Sequence, residues 1–200
     1  MNGKNDARVE RRVATVEDLD LRQKSGSKRP TIRGHAAVFD QLSADLGGFR
    51  ERNAPGAFAR AIRERHDVRA LYNHNPDHVL GRTPKTLRLA EESVGLRVEI
   101  DPPASESNLL ESLERGDVSQ MSFGLVVRDE KWEPGDGGPD IRMVLDLDLS
   151  DVSVVSYPAY PQTDAAVRSH AKWLQAHPDL RLWRMRLELE RYRSRAASMR

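Results

Sequence analysis

The sequence has no cysteine, no long apolar run and almost no net charge, and each absence excludes a class of protein. Without cysteine the chain can form no disulfide, no thiol nucleophile and no cysteine-ligated zinc site. No segment approaches the roughly 20 apolar residues of a membrane-spanning helix. Since 32 Lys and Arg residues face 31 Asp and Glu residues, the net charge of +1 argues against a surface devoted to nucleic acid.

A length of 200 residues corresponds to about one domain. Apolar residues make up only 38% of the chain and aromatic residues 6%, so we predict a compact middle between polar ends. Residues 1–13 carry charge without an apolar segment and are not expected to act as a signal peptide. Together these features predict a soluble, intracellular-type protein.

Short stretches of alternating apolar and polar residues dominate the middle of the chain. Such alternation is typical of half-buried strands, and it predicts strands at 32–40, 67–73, 86–89, 95–100, 118–128 and 141–157. Two short helices are predicted, over 56–66 and from a capping Ser105 to Gly116, and 74–78 (HNPDH) is predicted to be a loop. The resulting fold class is mainly β with helices (α+β), largely antiparallel, rather than doubly wound α/β.

Of the six histidines, two have a spacing that raises the question of a metal site. His74 and His78 are four residues apart, but Pro76 lies between them and no Glu follows His74, so zinc is not favoured. We expect no metal and no cofactor. His35 is predicted to be structural, and three further histidines are predicted to be solvated: His66, His170 and His177.

Serine and threonine are the candidate nucleophiles in a chain without cysteine. Ser122 lies on a predicted strand and faces away from the apolar side formed by Met121 and Phe123. Its neighbour Gly124 would let a substrate backbone approach closely. Two interpretations are open, a catalytic serine or an ordinary serine on a solvated strand face, and the pattern alone favours the second.

Asp151 also allows two interpretations. If the strand over 141–157 is unbroken, Asp151 shares a face with Leu147 and Leu149, and a buried carboxylate there needs a partner such as a histidine. If instead the strand bulges near Ser150, where its phase breaks, Asp151 turns toward solvent.

Six sequence blocks, taken in order, resemble the HK97-like prohead (capsid maturation) protease family of tailed phages: IRGHAAVFD, ERNAPGAFARAI, VRALYNHNPDHVLGRT, GLRVEID, RGDVSQMSFGL and LSDVSVVSYPAYPQTDA. Single blocks are weak signals, but their common order is specific. The resemblance divides the chain into a polar N-terminal segment (1–30), a prohead protease domain (31–166) and a helical, Arg-rich C-terminal segment (167–200). It implies a core like that of herpesvirus assembly proteases, an antiparallel β-barrel flanked by helices.

The resemblance also implies a serine endopeptidase and assigns its residues. Ser122 of the SFG block is the nucleophile, and His74 of the NH block is the general base. Asp151 stands where the family usually has a glutamate, one methylene longer, and is the third member. His78 is an alternative to Asp151, because the herpesvirus relatives use a second histidine. The backbone of Phe123 and Gly124 is one candidate for the oxyanion hole, and an arginine-oriented water or peptide is another.

The family's substrates and location follow from the same resemblance. The enzyme is expected inside the assembling procapsid, in the host bacterial cytoplasm, where it cleaves scaffold or the scaffold-like region of the major capsid protein, and then itself. Self-association or incorporation in the procapsid is expected, and a membrane partner is not. The alternative function is a non-catalytic scaffold or capsid-assembly protein that retains the protease fold.

The Arg-rich end of the chain has three interpretations. Residues 179–200 carry seven arginines against three acids and place an apolar stripe at helical spacing: Leu182, Met185, Leu189 and Tyr192. The segment is either a scaffold-like or capsid-docking helix, or a solvated helix with Glu–Arg pairs. Binding to packaged DNA is the least favoured, because few aromatic residues are interleaved with the arginines.

Overall fold

The computed structural model describes residues 9–13, 18–23, 29–135, 138–157 and 164–198. The described strands are β1 (Glu10–Val13), β2 (Asp20–Gln23), β3 (Pro30–Val38), β4 (Phe49–Asn53), β5 (Arg69–Tyr72), β6 (Asn75–Arg82), β7 (Leu87–Glu91), β8 (Gly95–Ile100), β9 (Gln120–Glu133) and β10 (Asp140–Val155). The helices are α1 (Ala59–Arg63), α2 (Ser107–Glu114), α3 (Asp164–Ala176) and α4 (Pro178–Ser198). The prediction of a mainly β fold with helices is confirmed.

The strands form two sheets. The larger sheet has the order β1-β9-β10-β5-β6, with β4 also pairing with β10, and the smaller sheet has the order β2-β3-β8-β7. Most neighbouring strands are antiparallel, as predicted. The long strand β10 is the exception, because it pairs in parallel with β4 near its beginning and with β5 near its end. The predicted closure of the core into a barrel stays a prediction.

Apolar side chains from both sheets share one core, whose buried members include Ile32, Val98, Phe123 and Val152. Phe58, directly before α1, meets Phe123 edge to face with ring centroids 5.6 Å apart. The apolar face predicted for β9, which includes Leu125, lies in this core. Because side chains alternate along a strand, Ser122 lies on the opposite face of β9.

The polar N-terminal segment contributes a strand to each sheet. Arg12 of β1 is buried and contacts Glu51 of β4 at 2.7 Å and Glu10 at 2.5 Å. Arg142 of β10 contacts the same two carboxylates at 2.9 and 3.0 Å. Burial alone would lower the pKa of Arg142, but the charges of Glu51 and Glu10 raise it above its ordinary value. The polar residues Glu10 and Arg12 of β1 are therefore members of a buried ion-pair cluster with Glu51 and Arg142.

Glu130 of β9 extends this cluster toward α3. Its carboxylate lies 2.6 Å from Arg142 and accepts hydrogen bonds from the Ser169 hydroxyl and the Trp132 indole. Burial acts to raise the pKa of Glu130, but Arg142 and these hydrogen bonds hold it below its usual value. The ionised carboxylate is therefore the form that the folded protein stabilises.

We expect Glu130→Gln to reduce the acid sensitivity of the fold. A carboxyl whose pKa is lower in the folded state stabilises the protein above its unfolded-state pKa, and this contribution is lost as the pH falls through the folded-state value. The variant should lose about 1–3 kcal/mol of unfolding free energy at pH 7 and show a flatter decline toward about pH 3. Urea unfolding measures both effects. The control is Glu111→Gln on the exposed side of α2, and equal acid slopes for the two variants would contradict the expectation.

Two helix predictions need correction. Ser105 does not cap α2, because it lies inside a 3-10 turn over Ala104–Glu106, and α2 begins at Ser107 without a side-chain cap. Serine is a residue type that can cap a helix, but Ser105 is part of the tight turn, and the α-helix therefore begins two residues later. The helix predicted over 56–66 is shorter than expected, since α1 spans only Ala59–Arg63.

His170 was predicted to be solvated, and this was wrong. It is buried against the ring of Trp132, with centroids 5.1 Å apart, and its Nε2 lies 2.7 Å from the Asp140 carboxylate. The reason is that α3 packs this face on the larger sheet, together with Phe49 and Ala166. An isolated histidine in an amphipathic segment does not reveal which side of its helix will be covered.

The predicted C-terminal helix is present as α4, and its apolar stripe lies open. Half or more of the surface of each stripe residue is exposed: 55% for Leu182, 59% for Met185, 50% for Leu189 and 73% for Tyr192. Among the described helices, none combines the length and the apolar character needed to cross a bilayer.

Candidate active site

His74 is presented by a tight turn between β5 and β6. Tyr72 and Asn75 pair across this turn, and the two residues between them, Asn73 and His74, have φ of 53° and 55°. Positive φ at both central residues is the conformation of a type I′ hairpin turn, which asparagine and histidine tolerate better than most residues. The prediction of a loop over 74–78 is thus wrong beyond His74. Pro76 is accommodated because β6 is an edge strand.

The turn is fastened to the end of β10 through Asn73. Its backbone N–H donates to the carbonyl of Val154 at 2.9 Å, and its side-chain Oδ1 accepts from the backbone N–H of Ser156 at 2.9 Å. Tyr72 adds a hydroxyl contact to Ser156 Oγ at 2.7 Å. These bonds hold His74 next to the strand that carries Asp151.

A bulge in β10 decides where Asp151 points. The pairing of β10 with β9 shifts between Leu149 and Asp151, at the phase break seen in the sequence. Leu149 and Val152 therefore lie in the core, while Asp151 takes the other face. The bulge that one interpretation predicted is present. Asp151 nevertheless does not turn to solvent: it is only 8% exposed and has a histidine partner, as the other interpretation required.

The three residues singled out by the sequence meet on this face of the larger sheet. His74 Nδ1 lies 2.6 Å from Asp151 Oδ1, and His74 Nε2 lies 2.7 Å from Ser122 Oγ. The serine and the histidine that the resemblance assigns as nucleophile and base are therefore in direct contact. Ser122 is completely buried, so the expectation of a solvated strand serine is wrong. A carboxylate at Nδ1 favours the tautomer with its proton there, which leaves Nε2 free to accept the Ser122 proton.

Ser153 joins the same cluster and was missed by the sequence reasoning. Its hydroxyl donates to Asp151 Oδ1 at 2.7 Å, and its Oγ lies 3.1 Å from His74 Nδ1. It is completely buried and pairs directly across the strands with Ser122. The available signal was its position two residues after Asp151, which places both on one face of a strand.

Gly124 makes room for the acid rather than for a substrate backbone. It pairs directly with Asp151 across β9 and β10. A Cβ at Gly124 would come to 2.2 Å from Asp151 Oδ2, far closer than van der Waals contact. Glycine is therefore required here by the position of the Asp151 carboxylate.

The other histidines lie elsewhere. His78 is on β6, and its ring packs near Tyr72 with centroids 6.4 Å apart rather than against Asp151. His35 bonds to Asp18, with 2.5 Å between Nδ1 and Oδ2, which agrees with a structural role. His66 lies near Glu64, and His177 is exposed. Within the described ranges no group of three or more His, Asp or Glu side chains is arranged to hold a metal ion.

The backbone around Phe123 and Gly124 is paired on both sides. Phe123 lies between Arg12 of β1 and Val152 of β10, and Gly124 lies between Arg11 and Asp151. In a strand flanked on both sides, ladder bonds ordinarily take up the N–H groups. The assignment of these two residues to an oxyanion hole stays a prediction.

Comparison with known proteins assigns the chain to a known family. A family model described as the caudovirus prohead serine protease matches residues 17–176, which include His74, Ser122 and Asp151. No curated protein matches the chain. A solved structure, the bacteriophage T4 capsid assembly protease gp21, aligns with a TM-score of 0.47 and 11% identity over 74% of this chain and 98% of that one. Because the family model matches well over half of this chain, the chain belongs to the caudovirus prohead serine protease family.

Proposed function

We propose that the protein is a serine endopeptidase in which Ser122 is the nucleophile, His74 the general base and Asp151 the third member of the triad. The observation that carries this proposal is the chain of contacts from Asp151 to His74 at 2.6 Å and from His74 to Ser122 at 2.7 Å. Nucleophile and base lie within hydrogen-bond reach, and the base is oriented by a third group, which is the arrangement that activates a serine hydroxyl.

The reaction follows from this order of groups. His74 Nε2 takes the hydroxyl proton as Ser122 Oγ attacks the peptide carbonyl, and the proton then passes to the leaving amine as the C–N bond breaks. Water, activated by the same imidazole, hydrolyses the acyl-enzyme and returns Ser122 to its starting state. Asp151 holds the imidazole and stabilises its charged form in both halves of the reaction.

The proposed substrates are capsid components. Membership of the prohead protease family supports a role in capsid maturation, and we infer that the enzyme cleaves scaffold or the scaffold-like region of the major capsid protein. Cleavage of the protease itself and its incorporation in the procapsid, within the host cytoplasm, belong to the same proposal. For the Arg-rich segment, the open apolar stripe of α4 favours docking to a protein over binding to DNA.

The alternative of a non-catalytic scaffold protein explains the site less well. Three polar side chains from β9, β10 and a strained turn converge in a buried position, and His74 adopts a positive φ to reach it. Burying polar groups and straining the backbone both destabilise a fold, so such features are typical of positions that serve another purpose. Catalysis supplies that purpose.

Co-expression with the capsid protein of the same phage tests the function. The intact protease and capsid protein are produced together, and mass spectrometry identifies the new chain ends of both. We expect a discrete truncation of the capsid protein and further cuts in the protease. Full-length capsid protein after prolonged co-expression would favour the scaffold alternative.

Gly124→Ala is expected to reduce proteolysis by more than about 100-fold. The added methyl group cannot coexist with the carboxylate of Asp151 and must displace it from His74. The rate of capsid-protein cleavage measures the effect. Gly138→Ala, where a new Cβ meets nothing within 4 Å, is the matched control. Near-equal rates for the two variants would contradict the placement of Asp151 in the mechanism.

A further inference from the structure

The hydroxyl of Ser153 is part of the site but takes no part in the proposed reaction steps. It donates to Asp151 Oδ1 at 2.7 Å and lies 3.1 Å from His74 Nδ1. Ser153 lies on the Nδ1 side of the imidazole with its proton committed to Asp151, whereas Ser122 lies on the Nε2 side. Ser153 is therefore placed to act on the acid and not on a substrate. We propose that Ser153 is a positioning residue, which fixes the Asp151 carboxylate and through it the imidazole of His74. This inference rests on the proposed function.

The orientation of the Asp151 carboxylate is determined at both of its oxygens. The last torsion of an aspartate side chain is broad and does not set the carboxylate plane by itself. Oδ1 accepts bonds from both His74 and Ser153, at 2.6 and 2.7 Å. Oδ2 is directed toward the space that the missing side chain of Gly124 leaves open. Without the Ser153 hydroxyl, only the imidazole itself would hold Oδ1 in place.

The same hydrogen bond also reduces the negative charge on Asp151 Oδ1 that acts on the imidazole of His74. A donor on a buried carboxylate draws negative charge toward itself, and the effect is strong in a low-dielectric interior. Removing the donor leaves a carboxylate that attracts the protonated imidazole more strongly. A loss of Ser153 should therefore change the pH dependence of the reaction as well as its rate.

Kinetics of Ser153→Ala provide the first test. We expect kcat to fall about 10- to 100-fold, the effect of one hydrogen bond to a charged group. KM should stay unchanged, because a residue that acts by positioning Asp151 affects the chemical step and not substrate binding. The acid limb of the kcat/KM profile should move to higher pH by roughly half a unit. Ser153→Thr, which restores a hydroxyl, should recover at least part of kcat.

Ser169→Ala is the matched control, because it also removes a serine hydroxyl bonded to a partly buried carboxylate, that of Glu130. Thermal unfolding of both variants shows whether each is folded. A normal kcat and pH profile for folded Ser153→Ala would overturn the proposal. An equal loss of kcat in Ser169→Ala would also overturn it, because the effect would then be general destabilisation.

A measurement that needs no activity separates this inference from the proposed function. The Nδ1 proton of His74, shared with Asp151, should give a low-field proton resonance in a Ser122→Ala background, which cannot digest itself through this serine. We expect Ser153→Ala to shift or broaden that resonance and Ser169→Ala to leave it unchanged. An unmoved resonance overturns the positioning role, whereas an inactive wild-type protein would count against the proposed function alone.

Discussion

Replacement of Ser122 by alanine is expected to slow capsid-protein cleavage by on the order of 10⁴-fold or more. Alanine removes only the hydroxyl oxygen from a fully buried strand position, so the strands around it should stay paired. Without that oxygen no acyl-enzyme forms, and His74 Nε2 loses the hydroxyl it contacts at 2.7 Å. The measurement is a time course of cleavage followed by mass spectrometry.

Ser119→Ala is the control for this variant, since the residue lies directly before β9 in the same part of the chain. The control should process capsid protein at the wild-type rate. Unfolding curves must show that Ser122→Ala is folded. Wild-type processing by Ser122→Ala would remove the enzyme proposal and leave the scaffold alternative.

Asp151→Asn is expected to lower the cleavage rate by about 10⁴-fold, the size of effect seen when a triad carboxylate becomes an amide. Asparagine keeps the shape of the side chain but removes the negative charge that stabilises the imidazolium of His74. The Oδ1 position, 2.6 Å from Nδ1, is the point at which that charge acts. The rate is measured with the same capsid-protein assay.

His78→Ala distinguishes the two candidates for the third member of the triad. Its ring packs near Tyr72 on β6, so the variant should cleave at close to the wild-type rate. If His78→Ala lost activity while Asp151→Asn kept it, the roles of the two residues would have to be exchanged. The alternative raised by the resemblance to herpesvirus enzymes would then apply.

Some parts of the fold could be predicted because they depend on local periodicity. The alternation around β3, β8 and β9 marks strands with one buried face, and the core contains the residues that this pattern selects. The break near Ser150 was also visible, since an extra residue in a strand reverses its phase. Neither pattern states which strands become neighbours.

Other parts depended on contacts between distant residues. Glu10 and Arg12 belong to the N-terminal segment that the sequence marks only as polar, but they are buried because Glu51 and Arg142 lie beside them on β4 and β10. His170 is covered only because α3 folds back on the larger sheet. Periodicity within a segment carries no information on such partners, which lie tens of residues away.

The candidate site shows the same division. The family resemblance, carried by the order of the motif blocks, selected Ser122, His74 and Asp151 as the proposed triad, and the absence of cysteine pointed to an oxygen nucleophile. Only the tertiary structure decided that Asp151 faces His74, that Gly124 leaves space for its carboxylate and that Ser153 joins them. The physical reason is that strand pairing, a two-residue turn and a bulge together set these distances, and each depends on which strands the folded chain brings side by side.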